Sequence, residues 1–145
     1  MNQAAIFRFL VLASLVLAVL GSLVDLLVPG LFPKQIDDAY EAYLTEEPEP
    51  WVALAMGVFA VVLIVGAIVG TVGLYLFKRW SRGFSFWLTV FSMASYPFLG
   101  PILYSGWAFL LTELGMVFWG AALAMAYFSE LKLRFDGEGA RVMAG

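Results

Sequence analysis

The stretch WVALAMGVFAVVLIVGAIVGTVGLYLF, residues 51–77, carries no charged side chain and is closed by Lys78-Arg79-Trp80-Ser81-Arg82. A helix needs roughly 20 apolar residues to cross a hydrocarbon core, so this run exceeds what a bilayer requires and implies tilt or a protruding end. Composition points the same way. Hydrophobic residues make up 63% of the chain and aromatic residues 17%, against 13% charged, which lies outside the usual range of a soluble domain.

Working outward, an apolar run over 9–28 follows Arg8 and is broken only by Ser14, Gly21, Ser22 and Asp25 before Pro29-Gly30 stops it. A secretory signal peptide would use Arg8 as its basic region, but this run continues past the usual length of a signal core. Two further apolar segments, about 83–99 and 107–128, flank the uncharged connector from Gly100 to Gly106. The expected fold is an all-α integral membrane protein, a four-transmembrane-helix bundle with spans about 9–28, 51–77, 83–99 and 107–128. These spans form a single domain over residues 1–135, and the charged, glycine-containing segment 136–145 is expected to be a disordered tail.

Orientation follows from the basic residues, which cytoplasmic connections collect. Arg8, Lys78, Arg79, Arg82, Lys132, Arg134 and Arg141 fall on one side and Lys34 on the other. Both termini are therefore expected in the cytoplasm and the loop 29–50 outside, in a cell membrane of the bacterial cytoplasmic type. Trp51 and Trp107 at the outer ends and Trp80 at the inner end sit where aromatic belts form. The basic cluster Lys78, Arg79 and Arg82 is placed to contact anionic lipid headgroups.

The outer loop carries Asp37, Asp38, Glu41, Glu46, Glu47 and Glu49 between prolines 29, 33, 48 and 50. Ile36, Tyr40, Tyr43 and Leu44 recur at helical spacing, predicting a short amphipathic helix between the first two spans. The acids lack the spacing of an EF-hand, so no metal site is assigned to them. With no Cys and no His in the chain, thiol chemistry, haem ligation by histidine and the usual zinc sites are excluded, and no cofactor is expected.

Helix faces then separate by residue size. Ser14, Ala18, Ser22 and Asp25 share one face of the first helix, and Gly66, Gly70 and Gly73 form a small-residue face on the second. Ser85, Thr89, Ser92 and Tyr96 make a hydroxyl stripe on the third, while Glu113, Val117, Gly120 and Ala124 share a face of the fourth. The glycine face is expected to pack within the chain, with a homodimer seam as the alternative. Ser14, Ala18, Ser22, Gly120 and Ala124 are expected to serve helix packing as well.

Asp25 and Glu113 are the only formally charged residues inside the apolar segments, and such residues mark candidate sites. By helix rise both belong to the outer half of the membrane, near Pro97, which is expected to kink the third helix. The expected site is a polar pocket of Asp25, Glu113, Ser92, Tyr96, Thr112 and Tyr104. Two carboxylates in a low-dielectric site suit a proton carrier or a cationic ligand. The plainer alternative has Asp25 reaching the headgroups and Glu113 hydrogen-bonded to a neighbouring hydroxyl.

No Gly-x-Gly-Asp motif surrounds either carboxylate, so catalysis by an aspartyl pair is not expected. The segment Phe77-Lys78-Arg79-Trp80-Ser81-Arg82 resembles the inner turn of many bacterial four-span proteins, which implies a membrane location and nothing finer. The leading expectation is a non-enzymatic accessory, scaffold or assembly subunit that contacts membrane lipids and other membrane proteins or itself, and no nucleic acid. A small oligomeric proton-coupled carrier using Glu113 with Asp25 is the alternative, and a lipid-binding protein is the third.

Overall fold

A computed structural model of the chain describes residues 2–28, 30–44, 49–99 and 102–136. Every regular element among them is helical. Three helices are long and apolar enough to cross a membrane: α1 (Gln3–Leu27), α3 (Pro50–Tyr75) and α5 (Gly106–Phe128). Two shorter ones, α2 (Lys34–Leu44) and α4 (Arg79–Ser95), complete the main elements, with a 3-10 turn at Tyr96–Phe98 and the single-turn α6 (Lys132–Phe135).

Local chemistry sets the helix ends. Asn2 caps α1 by accepting from the Ala4 amide at 3.1 Å, Pro50 opens α3 where its missing N–H costs nothing, and the Ser105 hydroxyl accepts from the Ala108 amide at 3.1 Å. The amphipathic helix expected between the first two spans is present as α2. Glu46, Glu47 and Pro48 lie outside the described residues, as do Pro29, the Gly100-Pro101 pair and all of the expected tail except Asp136.

Two boundaries differ from expectation. The basic cluster does not form a connector before a span at 83; Arg79 already begins α4, and only Leu76, Phe77 and Lys78 separate it from α3. The Lys78 amide bonds back to the Gly73 carbonyl at 2.9 Å and the Phe77 amide to Leu74 at 3.0 Å, the double closure of a Schellman turn. Phe77 takes the left-handed position at φ 54°, where glycine is usual. Pro97, for its part, ends the α-helix instead of kinking it. The α4 helix stops at Ser95, and the Met93 carbonyl is taken by the amide of Tyr96, because Pro97 has no amide to offer it.

The helices associate as two closely packed antiparallel pairs, α1 with α5 and α3 with α4, and contact between the pairs is much sparser. Small residues make each pair close. A Cβ on Gly21 would lie 2.6 Å from Thr112 Oγ1, one on Gly70 2.8 Å from Ser85 Oγ, and one on Gly73 2.7 Å from Ser81 Cβ. The glycine face of α3 is thus consumed inside the chain, against α4.

The buried core gathers where the pairs meet at the end that holds the start of α1 and the α6 turn, called here the basic end. Phe7, Val11, Leu74, Ala122, Ala126, Leu131 and Phe135 form it. The rings of Phe7, Phe77 and Phe135 stand 5.2–5.8 Å apart, within the range of favourable aromatic pairing. Holding a bulky residue in the left-handed region costs about 1–2 kcal/mol, and Phe77 is held there with its ring against this cluster.

Candidate functional site

Away from the basic end the two pairs line a cavity of about 360 Å³ that is open to the surface on one side. Its walls are Ser14 and Ala18 of α1, Ala67 and Thr71 of α3, Thr89, Ser92 and Tyr96 of α4, and Thr112, Met116 and Trp119 of α5. Trp119 also packs against the buried core, so it forms the floor. Small residues on α1 and α3, Ser14, Ala18, Ala67 and Thr71, make room for the cavity, with Leu15, Leu63 and Ile64 of the same helices also lining it. Alanine, serine and threonine leave unfilled the space that leucine would occupy.

Several of its hydroxyls are already engaged. Thr89 donates to the Ser85 carbonyl at 2.8 Å and accepts from Trp119 Nε1 at 2.8 Å, and Ser14 donates to the Val11 carbonyl at 2.9 Å. Such bonding leaves mainly methyl and methylene groups to face the void, the usual lining of a small-molecule site.

Asp25 lies at the opposite end from the aromatic core, called the acidic end. Its Oδ2 accepts from the Ser105 amide at 3.0 Å, so the carboxylate sits against the first turn of α5, where unpaired amides favour a negative charge. Asp25 Oδ1 is buried without a hydrogen-bond partner. Tyr104 lies beside this carboxylate in the connector. Its hydroxyl is held above the ordinary tyrosine value, first by partial burial and then by its neighbours Tyr96, Tyr40 and Asp25.

Glu113 is elsewhere. The side of α5 that meets α1 runs through Ala108, Gly115, Ala122 and Ala126, all buried, whereas Glu113, Val117, Gly120 and Ala124 are all exposed. At about 100° per residue these two sets lie on opposite sides of the helix. A pocket holding both carboxylates is therefore not formed, because Asp25 approaches α5 from its α1 side. Of the six residues expected to share it, Ser92, Tyr96 and Thr112 line the cavity, Asp25 and Tyr104 lie near one another at the acidic end, and Glu113 faces outward. Gly120, Ala124 and Ser22 are likewise exposed and do not pack within the chain, while Ser14 and Gly66 are buried.

At the basic end Lys78 and Arg79 are exposed, but Arg82 is turned inward. It pairs with Asp136, donates to the Ala126 carbonyl at 3.4 Å and lies over the Tyr127 and Phe135 rings at 5.8 and 5.1 Å. Arg82 is thus a clamp between α4 and the end of α5, not a free headgroup contact. Sequence reasoning missed this clamp and the bond from Ser105 to Asp25. The first had no local signal, whereas Ser105 before Gly106-Trp107 is a recognisable helix-start residue.

No family model, curated protein or solved structure matches the chain. Among the described residues, no group of three or more acidic side chains comes together to hold a metal ion.

Proposed function

We propose that this is a four-span membrane protein without catalytic activity, an accessory or assembly subunit that docks through the outward face of α5. The α4 helix, with its 17 residues, supplies roughly 26 Å, and the 3-10 turn after it about 6 Å more, together the thickness of a hydrocarbon core. Hydroxyls and the two arginines of its first turn lower its hydropathy. On this reading the basic end is cytoplasmic, because Arg8, Lys78, Arg79, Arg82, Lys132 and Arg134 gather there.

The observation that carries the docking reading is the exposure of Glu113 within an otherwise apolar face. A carboxylate facing lipid is costly, and such residues normally face protein or a polar cavity. Around it a Cβ added at Gly106 or Gly120 would meet nothing within 4 Å, unlike the glycines inside the pairs. The face thus combines a polar side chain with room for close approach by another helix. A carrier passing protons between Glu113 and Asp25 is less well supported, since the two residues occupy opposite sides of α5.

Native mass spectrometry of the protein extracted from its own membrane tests this. We expect a complex in the wild type that is lost in Glu113→Leu and in Gly120→Leu, with helix content unchanged. A lone chain in the wild type, or a complex indifferent to both substitutions, would overturn the reading.

A further inference from the structure

We infer, on the footing that α5 docks through its outward face, that the occupant is a membrane-spanning helix of another protein carrying a lysine or arginine at the depth of Glu113. Gly106, Leu110, Glu113, Val117, Gly120 and Ala124 are all exposed and follow one another at alternating spacings of four and three. That alternation is the seam along which two helices cross at a shallow, left-handed angle. Glycine and alanine at three of the six places let the second backbone come close.

The carboxylate selects the partner's chemistry. Among the described residues Glu113 makes no ion pair or hydrogen bond, and the side chains of its seam neighbours Leu110, Val117 and Gly120 have no donor to offer. One neutral donor across the seam would leave the charge largely uncompensated, whereas a buried ion is tolerated when it is both paired and hydrogen-bonded. An ammonium or guanidinium supplies the charge and several donors at once. A second copy of this chain does not. Two copies inserted in one orientation and paired through this seam set Glu113 against Glu113, where like charges repel. Arg8, Lys78, Arg79, Arg82, Lys132 and Arg134 gather at the basic end, and from Glu113 to that end of α5 at Phe128 is about 22 Å. Lys34 lies on α2, outside the spanning helices.

The chain has no cysteine, so single thiols can report the contact. Val117→Cys places one on the seam, a turn from Glu113, and Val62→Cys places a control on the exposed side of α3. Each full-length variant is reconstituted in phosphatidylcholine vesicles with a synthetic leucine-alanine spanning peptide. The peptide carries lysine, leucine or glutamate about four residues from its midpoint, as Glu113 lies in α5, and a cysteine one turn nearer the middle. Heterodisulfide is read at equilibrium in a glutathione buffer. With Val117→Cys, the ratio of heterodisulfide to free chain should be about tenfold higher for the lysine peptide than for the leucine peptide, the factor one charge-assisted contact supplies. The glutamate peptide should pair least. Adding Glu113→Gln, which keeps the hydrogen-bonding capacity and removes the charge, should abolish the lysine preference, and Val62→Cys should show none.

Equal ratios for the lysine and leucine peptides, or a glutamate peptide that pairs as well as lysine, would overturn the basic partner. So would a lysine preference that survives Glu113→Gln or is as large at Val62→Cys. The comparison of the three peptides needs no change at Glu113, so it stands even if Glu113→Gln fails to fold. In native mass spectrometry, a complex lost in Glu113→Leu but kept in Glu113→Gln, or one made of two identical chains, leaves the docking face standing and removes its basic partner. A lone chain removes both.

Discussion

The two ends of this molecule solve opposite problems with the same four principal helices. At the basic end Phe7, Phe77 and Phe135 interlock, three arginines lie over aromatic rings, and Arg82 joins Asp136 across two elements. Beyond this core the pairs part around a cavity, and at the acidic end Asp25 reaches the start of α5 through a single backbone bond. Aromatic rings fill the inward positions at one end, whereas Ser14, Ala18, Ala67 and Thr71 leave space among the larger side chains around the cavity. The difference is one of residue volume at inward positions, since both ends use the same two helix pairs. A rigid anchor at one end lets the other keep open space without the pairs drifting apart.

That contrast can be broken most severely at the anchor. Phe135→Ala removes a buried ring touching both Phe7 and Phe77, and a loss of about 3 kcal/mol is expected, in the range of large-to-small core changes. Denaturant unfolding in detergent micelles would measure it, and a change below about 1 kcal/mol would mean that the aromatic cluster does not hold the pairs together.

The clamp should come next. Arg82→Leu strands the half-buried Asp136 carboxylate, and a cost of about 2 kcal/mol follows from leaving one member of such a pair alone. Asp136→Ala in the same background should add little. A double-mutant cycle with near-zero coupling would show that the pair contributes nothing to the anchor.

At the acidic end the effects should be smaller. Asp25→Ala loses one hydrogen bond and one favourable charge at a helix start, together about 1 kcal/mol. Faster amide exchange confined to the first turn of α5 is the expected signature, with the basic end unaffected. Uniform acceleration through all helices would instead make Asp25 part of the anchor.

The smallest effect is the alkaline one. Tyr104 titrates above the ordinary tyrosine value in the folded protein, and near about 10 when unfolded. The native state therefore holds this proton more tightly. Its contribution is fully present below about pH 10 and is lost as pH rises through the raised native value. Tyr104→Phe should make the melting temperature fall less steeply above pH 10, and an unaltered slope would exclude this group as a contributor.

Much of the scaffold was legible from residues alone. The uncharged run 51–77 and the spacing of Ile36, Tyr40 and Tyr43 each carry their consequence locally, through hydrophobicity or helical period, whereas Pro97 ended α4 where a kink was expected. The site was legible only in pieces. Ser92, Tyr96 and Thr112 all line the cavity, since their helices place them at one depth. Glu113 was grouped with them on depth too, and depth says nothing about which way a side chain points around the helix.

The hydrophobic pattern by itself determined helices long and apolar enough for a bilayer, the gathering of basic residues toward one end, and the absence of thiol and imidazole chemistry. Those follow from transfer energies and residue types, which need no knowledge of neighbours. Only the tertiary structure decided which face of each helix turned inward. In water an amphipathic stripe announces the buried face, but on α3 and α5 both faces are apolar, and that announcement is nearly silent. Packing settled the matter instead. Gly66, Gly70 and Gly73 of α3 were taken by α4, the Glu113 face of α5 was left outside, and Asp25 met the start of α5, because close contact between helices depends on shape at each turn and not on hydrophobicity.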